Sequence, residues 1–167
     1  MEDNPPSSSR KEPVYITKVH DRLFIGPWKN YSVDSEELEE LVALGITAIV
    51  NLMKQKFYDP RPRLAYLHKG LRDGAYIPRE LLHEILTFID KHVQTGKVLV
   101  HCASGTSRSG GIVTARVLTE HPDWGWDEAL AFVRQSRDIM PARKIQDSIL
   151  DYLESVEGYR RETKTGR

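Results

Sequence analysis

The sequence holds one cysteine, Cys102, so no disulfide can form within it and no multi-cysteine metal site can be built. It has no excess of either charge. Lys+Arg and Asp+Glu are both 24, which excludes a global field recruiting nucleic acid or an anionic membrane. No apolar run approaches the roughly 20 residues that cross a bilayer. His, Asp and Glu nowhere show metal-ligand spacing, so neither a metal nor a cofactor is expected. There is no internal repeat. The start, Met1-Glu2-Asp3-Asn4-Pro5-Pro6, lacks the basic and apolar regions of a secretory signal, and the expected setting is cytoplasmic. What remains is 167 residues, 40% hydrophobic and 29% charged, enough for one domain with a real core. The expectation is a monomer with no nucleic-acid or membrane partner.

Along the chain, residues 1–12 read as a disordered leader, 13–157 as the domain and 158–167 as a polar, basic tail. Val14-Tyr15-Ile16 and Leu23-Phe24-Ile25 are short β-type runs, joined through His20-Asp21-Arg22 as a hairpin. Asp34 with Glu37 reads as a capping box opening a helix that Gly45 stops. Ile46 to Leu52 reads as a buried strand, Gln55 to Pro62 as a loop and Leu64 to His68 as another strand. Pro78 opens a long helix whose Leu81, Leu82, Ile85, Leu86, Ile89 and Val93 share one face. Two further helices are expected, roughly from Trp126 to Ser136 and from Ile145 to Val156. This alternation predicts an α/β fold with a mostly parallel, mixed sheet of about four or five strands flanked by helices on both faces.

The most informative stretch runs from Lys97 to Gly111. Val98 to Val100 forms an apolar run leading through His101 into Cys102, followed by the small residues Ala103-Ser104-Gly105-Thr106-Ser107, then Arg108 and a helical pattern. Strand, tight loop and helix start make an anion site, because loop and first-turn N–H groups converge on one point. A thiol under those donors is stabilised as thiolate, its ordinary pKa of roughly 8.5 falling into the ~3.5–7.5 range. Arg108 offers a planar fork to two oxygens of a phosphate. A cation at a helix start opposes the helix dipole, and an anion in front of it removes that conflict.

His101-Cys102-Ala103-Ser104-Gly105-Thr106-Ser107-Arg108-Ser109 resembles the phosphate-binding signature of the cysteine-based protein tyrosine phosphatase superfamily, in its small, atypical dual-specificity form. Leu23-Phe24-Ile25-Gly26 is similar to that family's opening strand, and Leu44 to Leu52 to its next helix-to-strand junction. Val133-Arg134-Gln135-Ser136-Arg137, with Pro141 following, is similar to the segment packed behind the phosphate loop. The resemblance covers about residues 14 to 156 and implies a tyrosine-phosphatase-like fold. Ala115-Arg116-Val117-Leu118 departs from the Ala-Tyr-Leu-Met usual in mitogen-activated-kinase phosphatases, which sets the chain apart from that subgroup.

The resemblance implies hydrolysis of phosphate monoesters through a phosphocysteine, on a phosphorylated protein or a small phosphoester. Cys102 would be the nucleophile, with Ala103, Ser104, Gly105, Thr106, Ser107 and Arg108 binding phosphate. His101 would hold Cys102 in place, and the Ser109 hydroxyl would bond its sulfur and aid its departure. The general acid in such enzymes is an aspartate on a mobile loop ahead of a long helix. Asp73, 29 residues before Cys102, fits; Asp59, before Pro60, is the rival. The absence of Lys from the loop interior speaks against polyphosphorylated lipids. A binding module without turnover, and a sulfur-transfer or arsenate-reducing enzyme, are the competing classes. With no second cysteine in the chain, peroxide should inactivate the protein without an internal disulfide, recovery passing through a sulfenamide or an external thiol. Mass spectrometry finding Cys102 unmodified after inactivation would contradict this.

Overall fold

The computed structural model describes residues 13–156; the expected leader and tail lie outside the described residues. Ten elements follow in order: β1 (Thr17–His20), β2 (Leu23–Gly26), α1 (Glu36–Leu44), β3 (Ile46–Asn51), β4 (Ala65–His68), α2 (Arg79–Val93), β5 (Lys97–His101), α3 (Arg108–Glu120), α4 (Trp126–Arg134) and α5 (Arg143–Ser155). The strands form one sheet in the order β1-β2-β5-β3-β4. β2, β5, β3 and β4 are parallel, and β1 pairs antiparallel with β2. This is the mixed, mostly parallel sheet that the alternation predicts.

The last strand in sequence occupies the centre of the sheet. β5 is buried from Val98 to His101, which is why it reads as a continuous apolar run rather than an alternating one. Side chains still alternate between faces. Val98 and Val100 join the larger core, with α2, α3, α4 and α5, while Leu99 joins the smaller one, with α1, Phe24, Ile49 and Tyr31. The connections β2-α1-β3 and β4-α2-β5 run in opposite directions along the sheet, so the right-handed crossover rule sends α1 and α2 to opposite faces. The chain therefore reverses its winding beside β5, and the carboxyl end of that strand opens the crevice where open α/β sheets bind ligands.

Two local expectations need correction. β1 is not Val14-Tyr15-Ile16 but Thr17–His20; the Ile16 N–H bonds Pro13 O, turning the chain before the strand begins. Its sequence is mostly polar because it is an edge strand with Val19 alone buried. The cap of α1 is Ser35 rather than Asp34: its hydroxyl accepts from Leu38 N at 3.0 Å. Gly45 ends α1 at φ +93°, the left-handed conformation that favours glycine at this position. The long helix, with Leu82, Ile85, Leu86, Ile89 and Val93 buried, starts after Pro78 as its sequence indicates.

Candidate active site

β5 ends at His101, and residues 102–107 turn directly into α3. The described structure places no side-chain cap on the first turn of α3 and no acidic residue in it. Of its N–H donors, that of Ser109 points to Cys102 Sγ at 3.4 Å. The loop's carbonyls are taken up from outside. Trp28 N donates to Ala103 O at 3.0 Å, and Met140 N to Thr106 O at 3.0 Å. The Arg137 guanidinium donates to Ser104 O at 3.1 Å and to Gly105 O at 2.9 Å. Because a peptide unit is planar and trans, a carbonyl held outward aims the N–H on the same unit inward. Gly105 has φ +75°, and a Cβ there would stand 2.6 Å from the Gly26 carbonyl carbon, so both conformation and space require glycine.

Cys102 lies at the floor of this loop, 2% exposed. Its Sγ is 3.1 Å from Ser109 Oγ and 3.4 Å from Ser109 N. Burial works against ionisation of the thiol. The Ser109 hydroxyl and the N–H groups of Ser109, Gly105 and Thr106 outweigh it, and the thiol titrates below its ordinary value.

His101 holds the strand end in register. Its Nδ1 is 3.3 Å from Cys102 O and its Nε2 is 2.6 Å from the Tyr58 hydroxyl. A carbonyl can only accept, so Nδ1 carries the proton and Tyr58 donates to Nε2. Burial, opposed only in part by the Cys102 carbonyl contact, pushes the imidazole down to about 4, so the ring is neutral at neutral pH. Tyr58 is itself fixed through its carbonyl, which accepts from the Tyr66 hydroxyl at 3.1 Å, and Tyr66 accepts from Asn51 Nδ2 at 3.0 Å. Tyr58 and Tyr66 escaped the sequence reading, for no local pattern links them to residue 101. The only signal was Asn51, a polar side chain ending an apolar strand.

Arg108, the first residue of α3, is 8% exposed. Its Nη1 donates to Leu71 O at 3.1 Å, while its Nε has no hydrogen-bond partner. Asp73 Oδ1 stands 3.7 Å from that Nε. Asp73 lies between the buried Leu71 and Ile77, with its side chain 72% exposed. The structure thus brings Asp73 to the arginine of the loop. It does not bring Asp59 there as a free carboxyl. Asp59 accepts from the Arg61 side chain at 2.9 and 2.6 Å, from Arg61 N at 3.0 Å and from Lys56 at 3.0 Å. The Arg61 bonds above all hold its carboxyl well below the usual carboxylate range. Ser107 Oγ accepts from Ala142 N at 3.0 Å and so serves the loop's outer wall.

A family model described as the dual specificity phosphatase catalytic domain matches residues 23–155. The mouse dual specificity protein phosphatase 15 is 32% identical over 129 residues, covering 74% of this chain and 51% of that protein. The chain spans about half the length of this curated relative. Among solved structures, human tyrosine phosphatase-like serine/threonine/tyrosine-interacting protein is similar at 27% identity and TM-score 0.71, covering 82% of this chain and 94% of that one. Human DUSP28 is similar at 25% identity and TM-score 0.70, covering 83% and 96%.

The donors around Cys102 yield a test by pH. Ser109→Ala removes one donor that favours the thiolate, so the midpoint for alkylation of Cys102 by iodoacetamide should move upward and reactivity at acidic pH should fall. The Gly105 and Thr106 N–H groups remain, so the midpoint should stay below that of an unstructured cysteine peptide. An unchanged profile would contradict the donor assignment.

Proposed function

Because the chain belongs to the dual-specificity phosphatase family, we propose that it hydrolyses phosphate monoesters of protein side chains through a phosphocysteine on Cys102. The observation that carries this reading is a thiol 2% exposed yet displaced toward ionisation, beneath N–H groups that share its pocket with Arg108. Such a pocket takes a tetrahedral dianion: loop N–H groups and Arg108 Nε share its three equatorial oxygens.

In the first displacement Cys102 Sγ attacks phosphorus in line. The bond to the leaving oxygen breaks, and Asp73 delivers its proton to that oxygen. On substrate binding, phosphate takes over Arg108 Nε, which stands 3.7 Å from Asp73 Oδ1 in the free protein. In the second displacement Asp73, now a carboxylate, removes a proton from water. The water oxygen attacks phosphorus and the S–P bond breaks, with the Ser109 hydroxyl bonded to the departing sulfur. His101 touches neither phosphate nor water in this scheme; it orients the Cys102 carbonyl, and with it the nucleophile. Asp59 is unsuited to the acid's role, since three donor groups stabilise its charged form.

The reading is tested by the leaving group. A general acid typically contributes 10²–10⁴-fold, and most where the departing oxygen is a poor leaving group. Asp73→Asn should therefore cut turnover of an alkyl phosphate far more than that of nitrophenyl phosphate, and should flatten the basic limb of the pH–rate profile. Asp59→Asn should do neither, and Cys102→Ser should abolish turnover of both substrates. A leaving-group-dependent loss in Asp59→Asn but not in Asp73→Asn would transfer the acid's role to Asp59. Substantial turnover by Cys102→Ser would overturn the mechanism.

A further inference from the structure

Arg137 is separated from the phosphate loop by α3 and α4, and it makes no part of the proposed chemistry. It follows the last turn of α4, where its N–H bonds Val133 O at 3.1 Å, a position at which a cation suits the helix dipole. Four of the five N–H groups of its guanidinium are engaged. Nη2 and Nε donate to Ser104 O and Gly105 O, at 3.1 and 2.9 Å. Nη1 donates to Tyr15 O at 3.1 Å and to Thr17 Oγ1 at 2.9 Å. One planar fork therefore ties two successive loop carbonyls to the start of the edge strand β1.

The choice of carbonyls matters. The peptide unit containing Ser104 O carries the Gly105 N–H, and the unit containing Gly105 O carries the Thr106 N–H. Gly105 and Thr106 are the two residues within the loop whose N–H groups lower the thiol of Cys102. Either peptide unit could rotate about its flanking bonds if its carbonyl were free, most easily at Gly105, where backbone freedom is greatest. The guanidinium approaches closely because Gly105 has no side chain: a Cβ there would lie 2.7 Å from Arg137 Nη2.

We propose that Arg137 is a positioning residue for the reaction: by gripping Ser104 O and Gly105 O from outside, it keeps the Gly105 and Thr106 N–H groups aimed at the sulfur and at the bound oxyanion. Its outer anchor at Tyr15 and Thr17 prevents the fork from following the loop if the loop opens. Lysine cannot substitute fully, since an ammonium has no planar fork to reach two carbonyls and an anchor together. This rests on the phosphatase reading only for its effect on turnover; the hold on the thiol is independent of it.

The test compares wild type with Arg137→Met, Arg137→Lys and Thr17→Val, using iodoacetamide alkylation of Cys102 across pH, vanadate affinity and thermal unfolding. Arg137→Met should move the alkylation midpoint upward, slow alkylation at pH 6 by about tenfold and weaken vanadate by about tenfold or more. Arg137→Lys should fall between it and wild type. Thr17→Val, which removes only part of the outer anchor, should show a smaller change in the same direction. Alkylation needs no turnover, so it reads the hold on the loop even if the protein hydrolyses no phosphoester; absence of turnover in wild type would count against the phosphatase reading alone. A folded Arg137→Met whose alkylation profile and vanadate affinity match wild type, with only the unfolding temperature lowered, would overturn the proposal. If Arg137→Met does not fold, wild-type profiles in both Arg137→Lys and Thr17→Val would overturn it as well.

Discussion

The structure turns on the orientation of a few peptide units between Cys102 and Arg108. Burial alone would leave a thiol at the floor of the sheet neutral. It is displaced the other way because the loop's carbonyls point outward, to Trp28 N, Arg137 and Met140 N, leaving the N–H groups to converge. These outward contacts come from two parts of the chain far apart in sequence: Trp28 from the β2–α1 connection, and Arg137 and Met140 from the α4–α5 connection. The arrangement of the whole domain is thus expressed in which way a handful of amides face. An anion entering the loop would meet donors already in place, with little reorganisation needed for the proposed reaction.

The same logic separates the two aspartates. Arg108 links the Cys102–Arg108 loop to the segment that carries Asp73 by donating to Leu71 O, two residues before Asp73. Asp73 therefore stands exposed, 3.7 Å from Arg108 Nε, on a segment pinned at the buried Leu71 and Ile77. Asp59 belongs to the β3–β4 connection, whose charges close on one another through Lys56 and Arg61. Its neighbour Tyr58 does reach the site, through the imidazole of His101. That connection supports the position of Cys102 while offering no free carboxyl.

What was legible in the sequence was what is contiguous in it. β5, the loop and α3 form one uninterrupted run, so strand, cysteine, glycine, arginine and serine could be read in order. β3 and α2 were legible because their burial imposes a continuous apolar run and a helical period on the residues themselves. β1 was misplaced because an edge strand with one buried side chain, Val19, carries no such signature, whereas the apolar Val14 and Ile16 beside it do. Arg137 was visible only as part of a packing segment. Its bonds span 32 and 33 residues to the loop and 120 and 122 to the N-terminal end, and no local pattern encodes contacts of that length. Asp73 and Asp59 could be ranked by position, since Asp73 alone precedes the long helix, but their different partners, Arg108 for the one and Arg61 and Lys56 for the other, were not legible.

The claim on which the proposed function rests is that Cys102 takes the phosphoryl group. Rapid acid quench of the purified protein mixed with an activated aryl phosphate, followed by peptide mass spectrometry, tests it most directly. Phosphate should be found on Cys102, appearing with a burst of the phenol and in greater yield when Asp73→Asn slows the attack of water. Steady release of inorganic phosphate with no phosphorylated Cys102 at any quench time, or with the label on another residue, would contradict it.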